Sequence, residues 1–175
     1  MSPIKRTHHA VYDLKYHFVW IPKYRKKLLK GEVAKYVKQI FRQIAREYGW
    51  EIEEMAVEVD HVHIFLHATP KYGPSQIVQI MKSISAREIF KQFPQLRKKL
   101  WAGELWSDGY FVRSVGDQVT AEVIKAYIRY QKDNDGPKQL SLWDWAAKSV
   151  PTGMKFRNAP LLAGGIGISR ILVFT

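Results

Sequence analysis

The chain contains no cysteine. Disulfides and thiolate metal sites are therefore excluded, and any metal must be held by nitrogen and oxygen donors. Acidic residues are few: 16 Asp and Glu stand against 28 Lys and Arg, a net charge of +12. No apolar run reaches the roughly 18–20 residues needed to span a bilayer. The first twenty residues carry Lys5, Arg6, His8, His9 and Asp13 and no cleavable signal pattern. No internal repeat is visible. These absences predict a cytoplasmic protein with a polyanionic partner, nucleic acid ahead of an anionic membrane. With 175 residues, 46% hydrophobic and 13% aromatic, the chain can bury one core and is short for two.

The hydrophobic pattern predicts seven elements. Residues 11–20 alternate as a strand, with Leu14, Tyr16, Phe18 and Trp20 on one side. A basic loop follows at Lys23-Tyr-Arg-Lys-Lys27. Residues 32–48 are an amphipathic helix ended by Gly49. Strands are predicted at 51–59 and 61–68, joined near Asp60 by a turn that is no clear two-residue type. Residues 75–90 form a second helix, 92–109 a loop region, 110–115 a fourth strand and 121–132 a third helix. The order β-α-β-β-α-β-α defines an α+β fold. It is a ferredoxin-like (RRM-like) split βαβ sandwich, a four-stranded antiparallel sheet with an added C-terminal helix. Its second sheet face is expected to be open.

That face carries the most informative residues, Asp60-His-Val-His-Ile-Phe65. On a strand, His61 and His63 stand side by side, with Val62, Ile64 and Leu66 on the opposite side. A histidine pair in a strand is by itself more often structural than metal-binding. The third helix supplies what could complete it. Tyr127 and Gln131 are four apart and share a helical face, beside an apolar stripe of Ala121, Ile124 and Ile128 that can dock the helix. Two neutral imidazoles and an amide oxygen would bind a divalent cation and leave positions open for phosphate oxygens. Tyr127 would be the nucleophile, a phenol with an ordinary pKa of about 10 that needs activation. Mg²⁺ is the expected ion and Mn²⁺ a substitute. His8, His9 and His17 are left out of the ligand set, although His17 can face the same side as the pair. His67 shares the strand face but is assigned an edge hydrogen-bonding role, and Glu58 is an outer partner candidate.

The segment at 60–63 resembles the HUH motif, and Tyr127-Ile-Arg-Tyr-Gln131 resembles the Tyr-x-x-x-Gln helix of the single-tyrosine HUH transposases of bacterial and archaeal insertion sequences. Residues 16–25, Lys82-Ser-Ile-Ser-Ala-Arg87 and 109–116 resemble that family's first strand and basic loop, second helix and last strand. The similarity runs in order over residues 8–140, which are taken as the transposase domain, with 141–175 as a C-terminal extension. The resemblance implies cleavage and rejoining of single-stranded DNA at element ends through a 5′-phosphotyrosine, recognition of end hairpins, and a homodimer in which the tyrosine helix can serve the partner's histidines. It assigns metal binding to His61, His63 and Gln131 and attack to Tyr127. A nucleoid-associated location follows.

Lys23, Tyr24, Arg25, Lys82, Arg87 and Arg113 are the candidate DNA contacts, a mixture of charge and stacking platform that suits single strands. Gln139-Leu140-Ser141-Leu142-Trp143 resembles a sliding-clamp docking peptide, although the same residues can simply pack back on the domain. Two rival functions share the pattern. One is a domesticated endonuclease of the same fold that cuts repeated hairpins. The other is a non-catalytic single-stranded nucleic-acid-binding module, in which a His-x-His strand would serve no evident purpose.

Overall fold

The computed structural model describes residues 4–100, 103–115 and 121–133. A two-stranded ribbon, β1 (Lys5–Arg6) and β2 (Val11–Tyr12), precedes β3 (Leu14–Trp20). The run predicted as one strand is thus broken at Asp13, whose carboxylate pairs with Lys15 at 3.1 Å. A short 3₁₀ turn at Lys23–Arg25 leads to α1 (Glu32–Glu47), then β4 (Glu51–Val57), β5 (Val62–Ala68), α2 (Pro74–Gln92), α3 (Pro94–Lys98), β6 (Phe111–Ser114) and α4 (Ala121–Asp133). The short α3, opened by Pro94, lies in the segment read from sequence as a loop.

The main sheet has order β4-β5-β3-β6, all neighbours antiparallel. This is the order expected of a split βαβ sandwich. Alternation along the strands makes two faces. Phe18 and Trp20 of β3, Val62, Ile64 and Leu66 of β5, and Met55 and Val57 of β4 join Val37, Ile40, Phe41 and Ile44 of α1 and Ile77, Met81 and Ile89 of α2 in one core. α1 ends where Gly49, at φ +71°, turns the chain and Trp50 N–H donates to Ala45 O at 2.8 Å. Pro74 opens α2, and Gly73 N–H donates to the Gln76 side-chain oxygen at 2.9 Å. Trp106 Nε1–H donates to buried Ser85 Oγ at 2.9 Å, which ties the segment before β6 to α2.

The other sheet face is not open. α4 lies across it, against β4 and β5, with Ile124 and Ile128 fully buried. A split βαβ unit leaves that face bare only until a further element covers it, and the apolar Ile124/Ile128 stripe does so. A β-bulge between Ile52 and Glu54 helps to dock the helix. It lets two adjacent carboxylates meet α4: Glu53 pairs with Lys125, and Glu54 accepts from Arg129 Nε–H at 3.0 Å.

Candidate active site

The β4–β5 hairpin sets the site. Glu58 N–H donates to His61 O at 2.9 Å, so Val59 and Asp60 form the tip and His61 enters β5 one residue before its first paired position. Odd positions of β5 then face α4. His61 and His63 have ring centroids 5.0 Å apart, at 79°. Cross-strand register places His17 of β3 opposite Phe65, on the same face. His17 stacks on His63 at 5.3 Å and 11°, with His17 Nε2 and His63 Nδ1 3.1 Å apart. Tyr127 reaches down from α4, its ring 5.8 Å from that of His63 and 6.4 Å from that of His17. Tyr127 is 2% exposed and His63 1%, so the phenol and the imidazoles are enclosed together.

Charge in this enclosure follows from burial. His17 is pushed down to about 3, first by desolvation and then by the Arg113 guanidinium. His63 is held well below the usual imidazole range by desolvation, then by His17 and His61. Both rings are neutral near pH 7, the form that offers a lone pair to a metal. The Asp60 carboxyl is held below the usual carboxylate range, mainly by its bond from His61 and also by Arg25. An ionised Asp60 can only accept, so His61 Nδ1–H donates to Asp60 Oδ1, at 2.7 Å, and Nε2 is the ring nitrogen outside that bond. In the matching tautomer His63 Nδ1–H donates to His17 Nε2 and leaves its own Nε2 as a ligand. That tautomer places a proton on His17 Nδ1, a buried atom with no partner. Each ring meets a side-chain partner at Nδ1, so Nε2 is the nitrogen of each that could take a divalent metal. Among the described residues no group of three or more His, Cys, Asp or Glu side chains forms a metal cluster, so a further donor must come from elsewhere. Gln131 lies in α4, one turn beyond Tyr127; its side chain is outside the described residues.

The candidate DNA contacts divide between the two faces. Lys23, Tyr24 and Arg25 form the 3₁₀ turn, and Arg25 Nε–H donates to Asp60 Oδ2 at 3.0 Å, which brings this turn beside His61. Lys23 pairs with Glu104 at 2.5 Å and Asp108 at 3.3 Å. Arg113 of β6 is in register with His17 and shares the site face. Lys82 and Arg87 lie on α2, across the sheet. Lys82 Nζ donates to the carbonyls of Ser107, Asp108 and Gly109 at 2.6, 3.1 and 2.8 Å, and burial lowers its pKa to about 8. It braces a loop. Arg87 pairs with Glu88 at 3.1 Å and is largely exposed. His67 is buried, with Nε2 3.5 Å from Asp13 Oδ1 and no hydrogen bond, at the far end of the same face. The peptide at 139–143 and the extension at 141–175 are outside the described residues.

Two positions to which the sequence assigned no role lie against the pair: His17 stacks on His63, and Asp60 accepts from His61. The alternation along β3 put His17 opposite Phe18 and Trp20, but only the β3–β5 register shows which histidine it meets.

The arrangement is a four-stranded split βαβ sheet with a tyrosine helix laid over a strand-borne histidine pair. Residues 10–131 match the family described as IS200-like transposase. The chain is 42% identical over 132 residues to the ISDra2 transposase TnpA of Deinococcus radiodurans, covering 75% of this chain and 94% of that protein. It is 34% identical over 143 residues to the transposase for insertion sequence element IS200 of Salmonella typhimurium, covering 81% and 93%. A crystal structure of a Deinococcus radiodurans R1 protein is similar at TM-score 0.61 and 39% identity, covering 73% of this chain and 98% of that one. The chain belongs to the IS200-like transposase family and is a DNA transposase.

Proposed function

We propose that this transposase cuts and rejoins single-stranded DNA through a covalent link to Tyr127. The observation that carries the reading is the enclosure of the Tyr127 phenol beside His63 and His17 on a face shared with His61. Tyr127 attacks phosphorus, the bond to the 3′ oxygen breaks, the phenol loses its proton and the departing 3′ oxygen gains one. The product is a 5′-phosphotyrosine that keeps the energy of the phosphodiester, so a second 3′-OH can reverse the step and join strands without a nucleotide cofactor. His61, His63 and Gln131 would hold a divalent ion, Mg²⁺ or Mn²⁺, which when bound polarises the phosphodiester and stabilises its developing charge. Asp60 and His17 orient the two imidazoles from behind. Arg25, Tyr24, Lys23 and Arg113 surround the approach with charge and one stacking surface.

The substrate we infer is single-stranded DNA with hairpins at element ends, and the working unit a homodimer. The Gln139–Trp143 peptide is proposed to dock on a sliding clamp; a peptide spanning it that leaves purified clamp unbound at high concentration would remove that part. The test of the main reading is incubation with single-stranded element-end DNA and Mn²⁺. A protein–DNA adduct stable to denaturation is expected with wild type and is lost in His61→Ala and His63→Ala under conditions where both variants remain folded. Normal adduct yield in either variant would refute the metal role.

A further inference from the structure

The carboxylate of Asp60 has two oxygens with two unrelated partners. Oδ1 accepts from His61 Nδ1–H at 2.7 Å, and Oδ2 accepts from Arg25 Nε–H at 3.0 Å. The first partner opens the strand that carries the histidine pair. The second belongs to the basic turn thirty-five residues earlier. The hairpin does not need this carboxylate for its own shape. Glu58 N–H bonded to His61 O closes the tip, and Leu29 N–H bonded to Val59 O, at 3.1 Å, anchors it.

The basic turn is built with equal care. Tyr24 and Arg25 take φ +57° and +51°, the left-handed region that side chains rarely adopt. Such a backbone persists only where its surroundings hold it. Here Lys23 N–H donates to Leu105 O at 2.9 Å, Arg25 N–H to Pro22 O at 2.8 Å, and the Lys23 ammonium is held by Glu104 and Asp108. The result is that the Tyr24 ring is thrown outward, 58% exposed, while Arg25 turns back to Asp60. The Asp60 contact uses only Nε of a guanidinium with five N–H donors, so the end of the group remains suited to a phosphate.

We propose that Asp60 is a positioning residue that couples DNA grip to metal binding, a role that rests on the strand-cleavage reading above. One oxygen holds His61 with Nε2 turned toward the ligand position. The other holds Arg25 beside it, where the guanidinium takes a phosphate of the incoming strand and the exposed Tyr24 ring takes an adjacent base. A carboxylate is required because both partners are donors; an amide can serve His61 but brings no charge to Arg25.

The experiment uses the full chain and two readouts that need no turnover: Mn²⁺ titration by electron paramagnetic resonance without DNA, and binding of a fluorescent single-stranded oligonucleotide in EDTA. Asp60→Ala should weaken Mn²⁺ binding about 10- to 100-fold and weaken oligonucleotide binding as much as Arg25→Ala does. Arg25→Ala should leave Mn²⁺ affinity within about twofold of wild type, the resolution of the titration, and the double variant should bind oligonucleotide no worse than Arg25→Ala. Asp60→Asn should recover most of the Mn²⁺ affinity and little of the oligonucleotide affinity, and it carries the test if the alanine variant is unstable. Wild-type Mn²⁺ affinity in Asp60→Ala, or oligonucleotide loss in Arg25→Ala without loss in Asp60→Ala, overturns the coupling. A wild type that binds Mn²⁺ through His61 and forms no adduct would sink the cleavage reading and leave these two affinities to decide the role of Asp60. A wild type that binds no Mn²⁺ overturns both.

Discussion

Each side chain around His63 acts through a neighbour. His17 meets His63 at Nδ1, as Asp60 meets His61 at Nδ1, and on the proposed reading Nε2 of both rings is left for a ligand. His17→Gln should therefore keep the fold and weaken Mn²⁺ binding about tenfold or more; unaltered affinity by calorimetry would show that His17 only fills space. Lys82 presents the opposite lesson. From sequence it is a DNA contact, but three carbonyls take its ammonium. Lys82→Met should lower stability by about 1–3 kcal/mol and leave oligonucleotide affinity unchanged. Its folded pKa of about 8 lies below the ordinary 10.5, so between those values the unfolded chain holds more protons and stability rises with pH. The melting temperature of wild type should gain on that of Lys82→Met between pH 7.5 and 9.5, and a constant gap would contradict the assignment. Placement was legible where a short motif carried it. That His61, His63 and Tyr127 share one site follows from periods of two and four. The roles of His17, Asp60 and Lys82 depend on partners 46, 35 and 25 or more residues away, which no local pattern encodes.

The element that covers the histidine face is α4. Its docking there was legible in the spacing of Ile124, Ile128 and Tyr127; its ion pairs with Glu53 and Glu54 were not, because a bulge in β4 breaks the strand's alternation. Tyr127 and His63 are enclosed beneath this helix. The Lys125–Glu53 and Arg129–Glu54 pairs tie it to β4, the second partly at the surface and worth about 0.2–1 kcal/mol. Reversing one charge, as Arg129→Glu or Glu54→Arg, should lower hydrogen-exchange protection across 123–130, and the double reversal should restore it. Equal protection in all four proteins would mean that apolar contact alone holds the helix. The strand and helix order of the sandwich, by contrast, was readable, since its elements carry their own periods and most have a Gly or Pro boundary.

At the scale of the molecule, the +12 charge is not spread evenly over function. The turn at 23–25 and Arg113 flank the histidine face, while Lys82 and Arg87 lie across the sheet. Affinity for single-stranded DNA should fall with salt, with a log–log slope of about −0.7 per phosphate neutralised. Arg25→Ala and Arg113→Ala should each reduce the slope by about that amount, and Arg87→Ala should not; equal effects from all three would show a diffuse basic surface without a binding face. The proposed chemistry makes one bond between the protein and its substrate. The direct measurement is peptide mapping by mass spectrometry of the denatured wild-type adduct formed with single-stranded element-end DNA. The modification is expected on Tyr127, bearing the 5′ phosphate of the fragment that lies 3′ of the cut, and Tyr127→Phe should bind the same DNA with no adduct. A modified Tyr130 or any other residue, or an adduct formed by Tyr127→Phe, would contradict the account.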